Sequence, residues 1–359
     1  MNKASTFWLH KRRLRRISWT VLFFFIFNII TYELTSWPIL NRYISIQPAV
    51  AAVADRNGLG IEEFWSYYSK DIGAGWKYNV NTFSGNLVVQ QNPFSIPGRG
   101  IGLSEGLSYN SLSSQSGCIG KGWVLTNQLA IKENADDSVT FKDRDATNHK
   151  FIRKDDGSYT APSGVNLTLS KIETGVFTIK DQAQILLRFE NERIISFTDE
   201  KGNATTFSYN AGNQLTQVTD TSGRKLVYSY DASSGKLTSV TDPASRSVTM
   251  SYDETGQLAT LTDPEGAITR FGYDTSGQLN AITDANGHKT SFFYNSEGKV
   301  IKIADARSTP NKEYATTLSY DANLLKTTVT DPANRNVVFT HNSAGNLVEI
   351  LDALGNTIK

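Results

Sequence analysis

The second half of the chain alternates apolar and polar side chains in short runs that turn signals separate. One copy of the pattern, YDETGQLATLTDPEGAITRFGYD, begins at Tyr252. Side chains alternate along a strand, so every second residue of AITRFGYD lies on the same face. The residues on that face are Ala267, Thr269, Phe271 and Tyr273. A second alternating run, such as QLATLTD, follows each tyrosine. The pattern predicts an all-β chain built from consecutive β-hairpins.

The alternation repeats with a nearly constant period. Two markers step together by 21 residues, with one step of 22 and one of 26. The first marker is a tyrosine, replaced once by histidine, at Tyr209, Tyr230, Tyr252, Tyr273, Tyr294, Tyr320 and His341. The second is an aspartate that opens a turn, at Asp199, Asp220, Asp242, Asp263, Asp284, Asp305, Asp331 and Asp352. A fixed period of this length is typical of repeat proteins, and we expect about eight repeats in residues 198–359, the last incomplete.

Two kinds of turn separate the runs. Four residues after the tyrosine the chain usually has glycine, which adopts positive φ without a Cβ penalty. These glycines are Gly256, Gly277, Gly298 and Gly345, while Asn213 and Leu324 each fill the position once. The other turn reads Asp-x-x-Gly, with proline second at Pro243, Pro264 and Pro332. Those are the preferences of a type I turn, so the repeated aspartates are interpreted as turn-forming residues.

One spacing does not fit strict alternation. Leu258 and Leu261 are three residues apart, as are Leu237 and Val240. In a regular strand, residues three apart lie on opposite faces. A β-bulge, a strong twist, or burial of both faces would each accommodate them, and the sequence leaves these alternatives open.

The repeated pattern resembles a known family. Tyr-Asp-x-x-Gly-x-Leu followed by Thr-Asp-Pro-x-Gly is similar to the YD repeats of the rearrangement-hotspot (Rhs) family, which includes wall-associated and polymorphic-toxin proteins and is related to teneurin and Tc-toxin shells. The segments SGNLVVQQNPFSIPGRG from Ser84, LSYNS from Leu107 and GKGW from Gly120 resemble the module that precedes the repeats in that family. The resemblance implies a sheet that spirals into a hollow β-shell.

Four regions are expected from N- to C-terminus. Residues 1–54 begin with the basic run KRRLRR and continue into an apolar stretch, which is the layout of an export signal. This segment is either a cleaved signal peptide or a membrane anchor in residues 17–40. Residues 55–78 are expected to be a linker and residues 79–197 a β module that precedes the repeats of 198–359. In both readings the repeats are exported, to the medium or the cell envelope.

Charge argues against nucleic acid as a partner. The chain has a formal net charge of +1, but residues 1–54 hold seven basic residues and one acidic residue. The remainder therefore has 29 basic and 34 acidic residues, whereas a nucleic-acid surface is usually basic. Membrane contact is expected only through the N-terminal segment.

No constellation of catalytic, cofactor-binding or metal-binding residues stands out. The single cysteine, Cys118, has no histidine near it in sequence, so a buried or incidental thiol is favoured. The four histidines are scattered and form no zinc motif. The acidic stretch Asp143 to Asn148 lacks the glycine and distal glutamate of an EF-hand loop. We expect a protein that is not an enzyme and has no cofactor.

Three functions are compatible with these observations. The first is a scaffold for a β-shell that encapsulates or presents a C-terminal effector in intercellular competition. Its partners would be downstream repeats, an effector domain or a subunit that closes the shell. No end cap is recognisable after Asp352, so we expect a fragment of a longer product or a truncated copy. The second is a module that binds cell-wall or surface glycans on exposed aromatic faces. The third is a hydrolase within the pre-repeat module.

Overall fold

Residues 58–359 are described by the computed structural model, and they belong to the compact unit Ile46–Lys359. The signal or anchor predicted in residues 1–54 lies outside the described residues. No helix in residues 58–359 is long and apolar enough to cross a membrane. The predicted chain of consecutive hairpins is confirmed, since the regular elements between Tyr67 and Ile358 are all strands.

Five strands near the N-terminal end form one sheet, which we call the N-terminal sheet. The strands up to residue 125 are β1 (Tyr67–Gly73), β2 (Trp76–Asn81), β3 (Leu87–Ile96), β4 (Leu103–Asn110), β5 (Ser116–Gly117), β6 (Gly120–Lys121) and β7 (Trp123–Leu125). The N-terminal sheet has the order β1-β2-β3-β4-β7, and β5 pairs with β6. Two of its strands, β1 and β2, begin inside the stretch 55–78 that was expected to be a linker. They form there because the aromatic side chains Tyr67, Trp76 and Tyr78 are buried in the core.

The remaining strands form a second sheet, which we call the long sheet. They are β8 (Ala130–Glu133), β9 (Val139–Lys142), β10 (Asn148–Arg153), β11 (Tyr159–Thr160), β12 (Thr168–Glu173), β13 (Val176–Lys180), β14 (Leu186–Glu190), β15 (Arg193–Thr198), β16 (Ala204–Tyr209), β17 (Leu215–Thr219), β18 (Lys225–Tyr230), β19 (Leu237–Thr241), β20 (Ser247–Tyr252), β21 (Leu258–Thr262), β22 (Ile268–Tyr273), β23 (Leu279–Thr283), β24 (Lys289–Tyr294), β25 (Val300–Ala304), β26 (Ala315–Asp321), β27 (Lys326–Thr330), β28 (Asn336–His341), β29 (Leu347–Leu351) and β30 (Thr357–Ile358).

Pairing in the long sheet follows sequence order. From β12 to β30 each strand pairs antiparallel with the next one. Strand β15 also pairs with β8 through Arg193 and Ala130, which closes the strand order on itself. Short connections and antiparallel neighbours are what consecutive hairpins require.

A β-bulge explains the leucines that are three residues apart. In the β20–β21 hairpin Ser251 pairs with Thr260, but Tyr252 pairs with Leu258, so β21 holds one extra residue. Both Leu258 and Leu261 are therefore buried on the same face. The same register shift occurs in β16–β17, β18–β19, β22–β23, β24–β25 and β28–β29. Among the three alternatives the bulge is the right one, since an extra residue resets the alternation.

The turns have the backbone conformation that their residues favour. Gly256 has φ of 78° and Asn213 has φ of 65°. In the β26–β27 hairpin, which has no bulge, the positive φ of 52° falls on Leu325, and Leu324 beside it is exposed. The irregular repeat thus closes its turn without glycine, at the steric cost that a side chain pays at positive φ.

Much of the core lies between the two sheets. From β18 to β28 the long sheet turns one face toward the N-terminal sheet, and this face carries buried side chains such as Phe271 and Phe292. Within the long sheet itself, Phe141 of β9 packs on Phe189 of β14. The N-terminal sheet contributes Trp76, Tyr78 and Trp123, each at most 2% exposed. We call the face of the long sheet that carries Phe271 its inner face, and the opposite face its outer face.

Candidate functional site

The repeated tyrosines form a ladder of hydrogen bonds between hairpins. Each hydroxyl donates to a backbone carbonyl of the preceding repeat, at 2.5 to 2.9 Å. The pairs are Tyr209 with Ile194, Tyr230 with Leu215, Tyr252 with Leu237, Tyr273 with Leu258, Tyr294 with Leu279 and Tyr320 with Val300. Burial raises the pKa of these hydroxyls, so they stay protonated and remain donors.

The accepting carbonyls mostly belong to the bulges. Leu258 is the residue at which the register of β20–β21 shifts, and its carbonyl accepts from Tyr273. A bulge interrupts the ladder of backbone hydrogen bonds, and a buried carbonyl without a partner is costly. The tyrosine of the next repeat supplies the missing donor. Sequence reasoning placed tyrosine on the apolar face but missed this role of its hydroxyl.

The turn aspartates hold the other end of each hairpin. One carboxylate oxygen of Asp242 accepts from the backbone N–H groups of Ala244 and Arg246 at 2.8 and 2.9 Å. The equivalent contacts are made by Asp220, Asp263, Asp284 and Asp331. Burial of Asp242 would raise its pKa, but hydrogen bonds from Arg246 and Ala244 outweigh burial and lower it. The aspartates are thus engaged within their own turns.

Backbone amides at the bulges bind the N-terminal sheet and the loops between its strands. Leu237 N–H donates to the carbonyl of Cys118 at 3.0 Å, and Val300 N–H donates to that of Gly85 at 3.1 Å. Leu279 N–H donates to the hydroxyl of Tyr109 at 2.8 Å. At each of these bulges the backbone carbonyl accepts from the tyrosine of the next repeat, and the backbone amide donates to the N-terminal sheet or to a loop between its strands. The same bulge therefore connects its hairpin both to the next repeat and to the N-terminal sheet.

Aromatic side chains complete the junction between the sheets. The rings of Trp76 and Trp123 each meet the ring of Phe271 edge to face, with centroids 5.2 Å apart. Their indole N–H groups donate to Thr269 at 3.2 Å and to the hydroxyl of Tyr273 at 3.0 Å. Edge-to-face aromatic pairs add to the free energy of burial, and the hydrogen bonds fix the two sheets in one register.

A buried carboxylate lies at the same junction. Glu105 is 1% exposed and accepts hydrogen bonds from the side chains of Thr126, Asn127 and Tyr228 and from two backbone amides. Burial raises the pKa of Glu105, and the hydrogen bonds oppose that shift. Burial and the adjacent Glu105 raise the pKa of Tyr228. A carboxylate surrounded by donors joins β4 to β18, which no sequence motif indicated.

Cys118 lies beside this junction and is not activated. Its thiol accepts a hydrogen bond from the amide of Gln128 at 3.2 Å, and burial raises its pKa. A raised pKa keeps a thiol protonated and a poor nucleophile. The functional contact of this residue is its backbone carbonyl.

A serine and a histidine meet where the N-terminal sheet reaches the last repeats. His341 Nε2 lies 3.1 Å from Ser66 Oγ and 2.9 Å from Thr82 Oγ1, and Nδ1 lies 3.2 Å from the carbonyl of Leu325. Burial lowers the pKa of His341 to about 4. Ser66 and His341 are each 3% exposed, so the pair joins β28 to the N-terminal sheet without facing solvent.

The acidic turn at Asp143 to Asn148 anchors the first described residues. Asp145 accepts from Ile61 N–H at 2.7 Å, and Thr147 donates to the carbonyl of Leu59 at 2.9 Å. Burial, followed by the charge of Asp143, raises the pKa of Asp145 to about 7. Within residues 58–359 no group of three or more His, Cys, Asp or Glu side chains is placed to hold a metal ion.

The aromatic residues considered as a glycan platform lie mostly inside. Trp76 and Trp123 are in the core, and the repeated tyrosines are half-buried with their hydroxyls bound to carbonyls. These side chains therefore serve packing between hairpins and between sheets.

Two family models match the chain. The model described as RHS Repeat matches residues 191–225, 230–268, 252–289 and 273–310. The model described as Domain of unknown function (DUF6531) matches residues 77–151. The first covers hairpins of the long sheet, and the second covers the N-terminal sheet from its second strand and the strands up to β10.

Curated relatives match a short part of their own length. The tRNA nuclease WapA of Bacillus subtilis (strain 168) is 36% identical over 159 residues, which are 44% of this chain and 7% of the relative. The tRNA3(Ser)-specific nuclease WapA of Bacillus spizizenii is 35% identical over 159 residues, again 44% and 7%.

Solved structures show weaker likeness. A Photorhabdus luminescens Tc holotoxin pore matches with 15% identity and a TM-score of 0.36, over 78% of this chain and 14% of that one. A TcdB2–TccC3 structure matches with 11% identity and a TM-score of 0.34, over 80% and 21%. The fold described above rests on the strand pairing of this chain alone.

Proposed function

Because the chain belongs to the RHS repeat family, we propose that residues 58–359 form part of the wall of a β-shell. This shell would enclose or present a toxin domain carried by the same product or by a partner. In this proposal the wall acts as a scaffold in intercellular competition, and its residues do not themselves catalyse a reaction.

The observation that carries this proposal is the seating of the N-terminal sheet on the inner face of the repeats. The contacts of this sheet and of the residues that flank its strands extend from Tyr228 on β18, through Phe271 on β22, to His341 on β28. One sheet thus lies across many successive hairpins. A layer of this kind stiffens a wall and covers apolar side chains that would otherwise face the interior.

The hydrogen bonds of the tyrosine ladder support the same role. Each hairpin binds the one before it through a side chain as well as through its backbone ladder. A repeat protein whose units contact only their neighbours gains stability from each such interface. The arrangement favours a stable container over a surface that must change shape.

Export is the second part of the proposal. The basic and apolar layout of residues 1–54 supports delivery of the wall to the medium or the cell envelope. The names of the curated relatives describe tRNA nucleases, and we propose that an effector of comparable toxicity accompanies this wall.

Fractionation of producer cells tests the proposal. We would blot cytoplasm, envelope and medium with an antibody against residues 79–359, using a strain that lacks the gene as the control. A product much longer than 359 residues, in the envelope or medium, is the expected result. A product of 359 residues or fewer that stays in the cytoplasm would contradict both the shell and the export.

A further inference from the structure

The outer face of the long sheet follows a simple rule with two neighbouring exceptions. The residue before the repeated tyrosine points outward and is serine in four repeats, at Ser208, Ser229, Ser251 and Ser319. It is Gly272 on β22 and Phe293 on β24. The ring of Phe293 is 41% exposed, although an outward apolar ring contributes nothing to the core.

Phe293 lines a groove of about 360 Å³, and Gly272 lies beside Asn280 at the edge of this groove. Its lining residues are Asp274, Asn280, Lys289, Ser291, Phe292, Phe293 and Tyr294. A Cβ atom on Gly272 would lie 3.0 Å from Asn280 Oδ1 and 3.4 Å from the Cβ of Ala281. The serine that other repeats carry would therefore crowd Asn280 at the edge of the groove. The volume is at the small end of the ~300–1,000 Å³ typical of ligand sites.

The polar groups of the groove are available to a ligand. Within residues 58–359 the side-chain amide of Asn280 and the side-chain ammonium of Lys289 make no hydrogen bond or ion pair. At the position equivalent to Asn280, Thr216 and Thr238 donate to backbone carbonyls at 3.1 and 3.0 Å. Asp274 uses one carboxylate oxygen for its own turn, which leaves the other oxygen as an acceptor.

The ring of Phe293 faces the groove on one side only. Lys302, its cross-strand partner on β25, holds its ammonium 4.2 Å from the ring centroid and is itself paired with Glu313 at 2.9 Å. The groove lies on the opposite side of β24, because Asp274 and Asn280 belong to the β22–β23 hairpin. A ligand there would meet an aromatic surface beside an amide, a carboxylate and an ammonium.

We propose that this groove binds one pyranose unit of a surface glycan. A pyranose has an apolar face of C–H groups, which packs on an aromatic ring, and hydroxyl groups around its edge, which suit Asn280, Asp274 and Lys289. This site is on the outer face and is independent of the proposed shell. Its aromatic contact is the ring of Phe293, so it also differs from a platform built on the repeated tyrosines, whose hydroxyls are bound to backbone carbonyls.

Saturation-transfer NMR on the full chain tests the site, with methyl glucoside, methyl galactoside and N-acetylglucosamine as probes. Phe293→Ser and Gly272→Ser each restore the residue that other repeats carry, so both variants are expected to fold, and urea midpoints check this. The first removes the ring and the second narrows the groove. The matched control is Val227→Ser, which removes another outward apolar side chain, 42% exposed, away from the groove.

We expect saturable binding of at least one probe to the unaltered chain and to Val227→Ser. Phe293→Ser should weaken that binding about tenfold, as loss of an aromatic contact does. Gly272→Ser should weaken it as well, because its side chain crowds Asn280 at the edge of the groove. Absence of saturable binding by all three probes would overturn the proposal. Binding that Phe293→Ser and Gly272→Ser leave unchanged would overturn it as well, since the sugar would then lie elsewhere.

Discussion

Replacement of Tyr273 by phenylalanine tests the link between the tyrosine ladder and the junction of the two sheets. The hydroxyl of Tyr273 donates to the carbonyl of Leu258 at 2.9 Å and accepts from the indole N–H of Trp123 at 3.0 Å. Phenylalanine keeps the ring and loses both hydrogen bonds. The carbonyl at the bulge and the indole N–H are then left without this partner.

The expected loss follows from the number of bonds. A buried polar group that loses its partner costs ~1–3 kcal/mol, and Trp123 is 1% exposed. Tyr273→Phe should therefore lower the free energy of unfolding by about 2–4 kcal/mol. Tyr230→Phe removes one hydrogen bond, to Leu215, and should cost about 1–2 kcal/mol. Tyr314→Phe is the matched control, and a substitution of this kind away from such bonds stays within ~0.5 kcal/mol.

Urea unfolding followed by circular dichroism measures these differences. The order of stability should be Tyr314→Phe, then Tyr230→Phe, then Tyr273→Phe as the least stable. A double-mutant cycle of Tyr273→Phe with Trp123→Phe should show coupling, because the two substitutions remove the same bond. If Tyr273→Phe is as stable as Tyr314→Phe, the hydroxyl does not bridge the two sheets and the account of the junction fails.

Three further predictions concern the turns, the buried carboxylate and pH. Gly266 has φ of 87° and open space around its Cβ position. Gly266→Ala should therefore lower the free energy of unfolding by ~1–2 kcal/mol from backbone strain alone, as measured by urea unfolding. The control is Gly212→Ala, which should be neutral because the φ of Gly212 is not positive, and equal losses of stability in the two variants would refute this reasoning. Glu105→Gln places an amide N–H₂ among hydrogen-bond donors and should destabilise the chain by ~1–3 kcal/mol in the same assay. The control Glu265→Gln changes an exposed side chain and should leave the stability unchanged. If the two variants are equally stable, the donors around residue 105 are not directed at a carboxylate. Burial lowers the pKa of His341 from 6.5 to about 4, so its contribution to stability is present above pH 6.5 and is lost as the pH falls toward 4, by up to about 3 kcal/mol. His341→Gln should flatten this pH dependence of the urea midpoint, while the control His288→Gln, in an exposed turn, should retain it. Parallel pH profiles for the unaltered protein and both variants would show that His341 is not the titrating group.

The sequence by itself determined the hairpins, their period and their turns. These features are local: alternation of side chains has a period of two, and glycine or asparagine at a turn reports a positive φ within one residue of where it occurs. The aspartates could be assigned to turns for the same reason, since Asp242 binds amides two and four residues away. The resemblance to the Rhs family rested on the same short, repeated sequence motifs.

The tertiary structure decided what the side chains of those hairpins do. The hydroxyl of Tyr273 reaches a carbonyl 15 residues earlier and an indole 150 residues earlier, and neither distance appears in a local pattern. The bulge, left open by the sequence, was settled by cross-strand pairing, since only pairing shows which residue lacks a partner. Strands β1 and β2 were missed because their aromatic residues are buried by distant strands. Glu105 and His341 likewise acquire their burial, and hence their shifted pKa values, from strands more than 100 residues away, and the groove beside Phe293 exists only because two repeats are neighbours in the sheet.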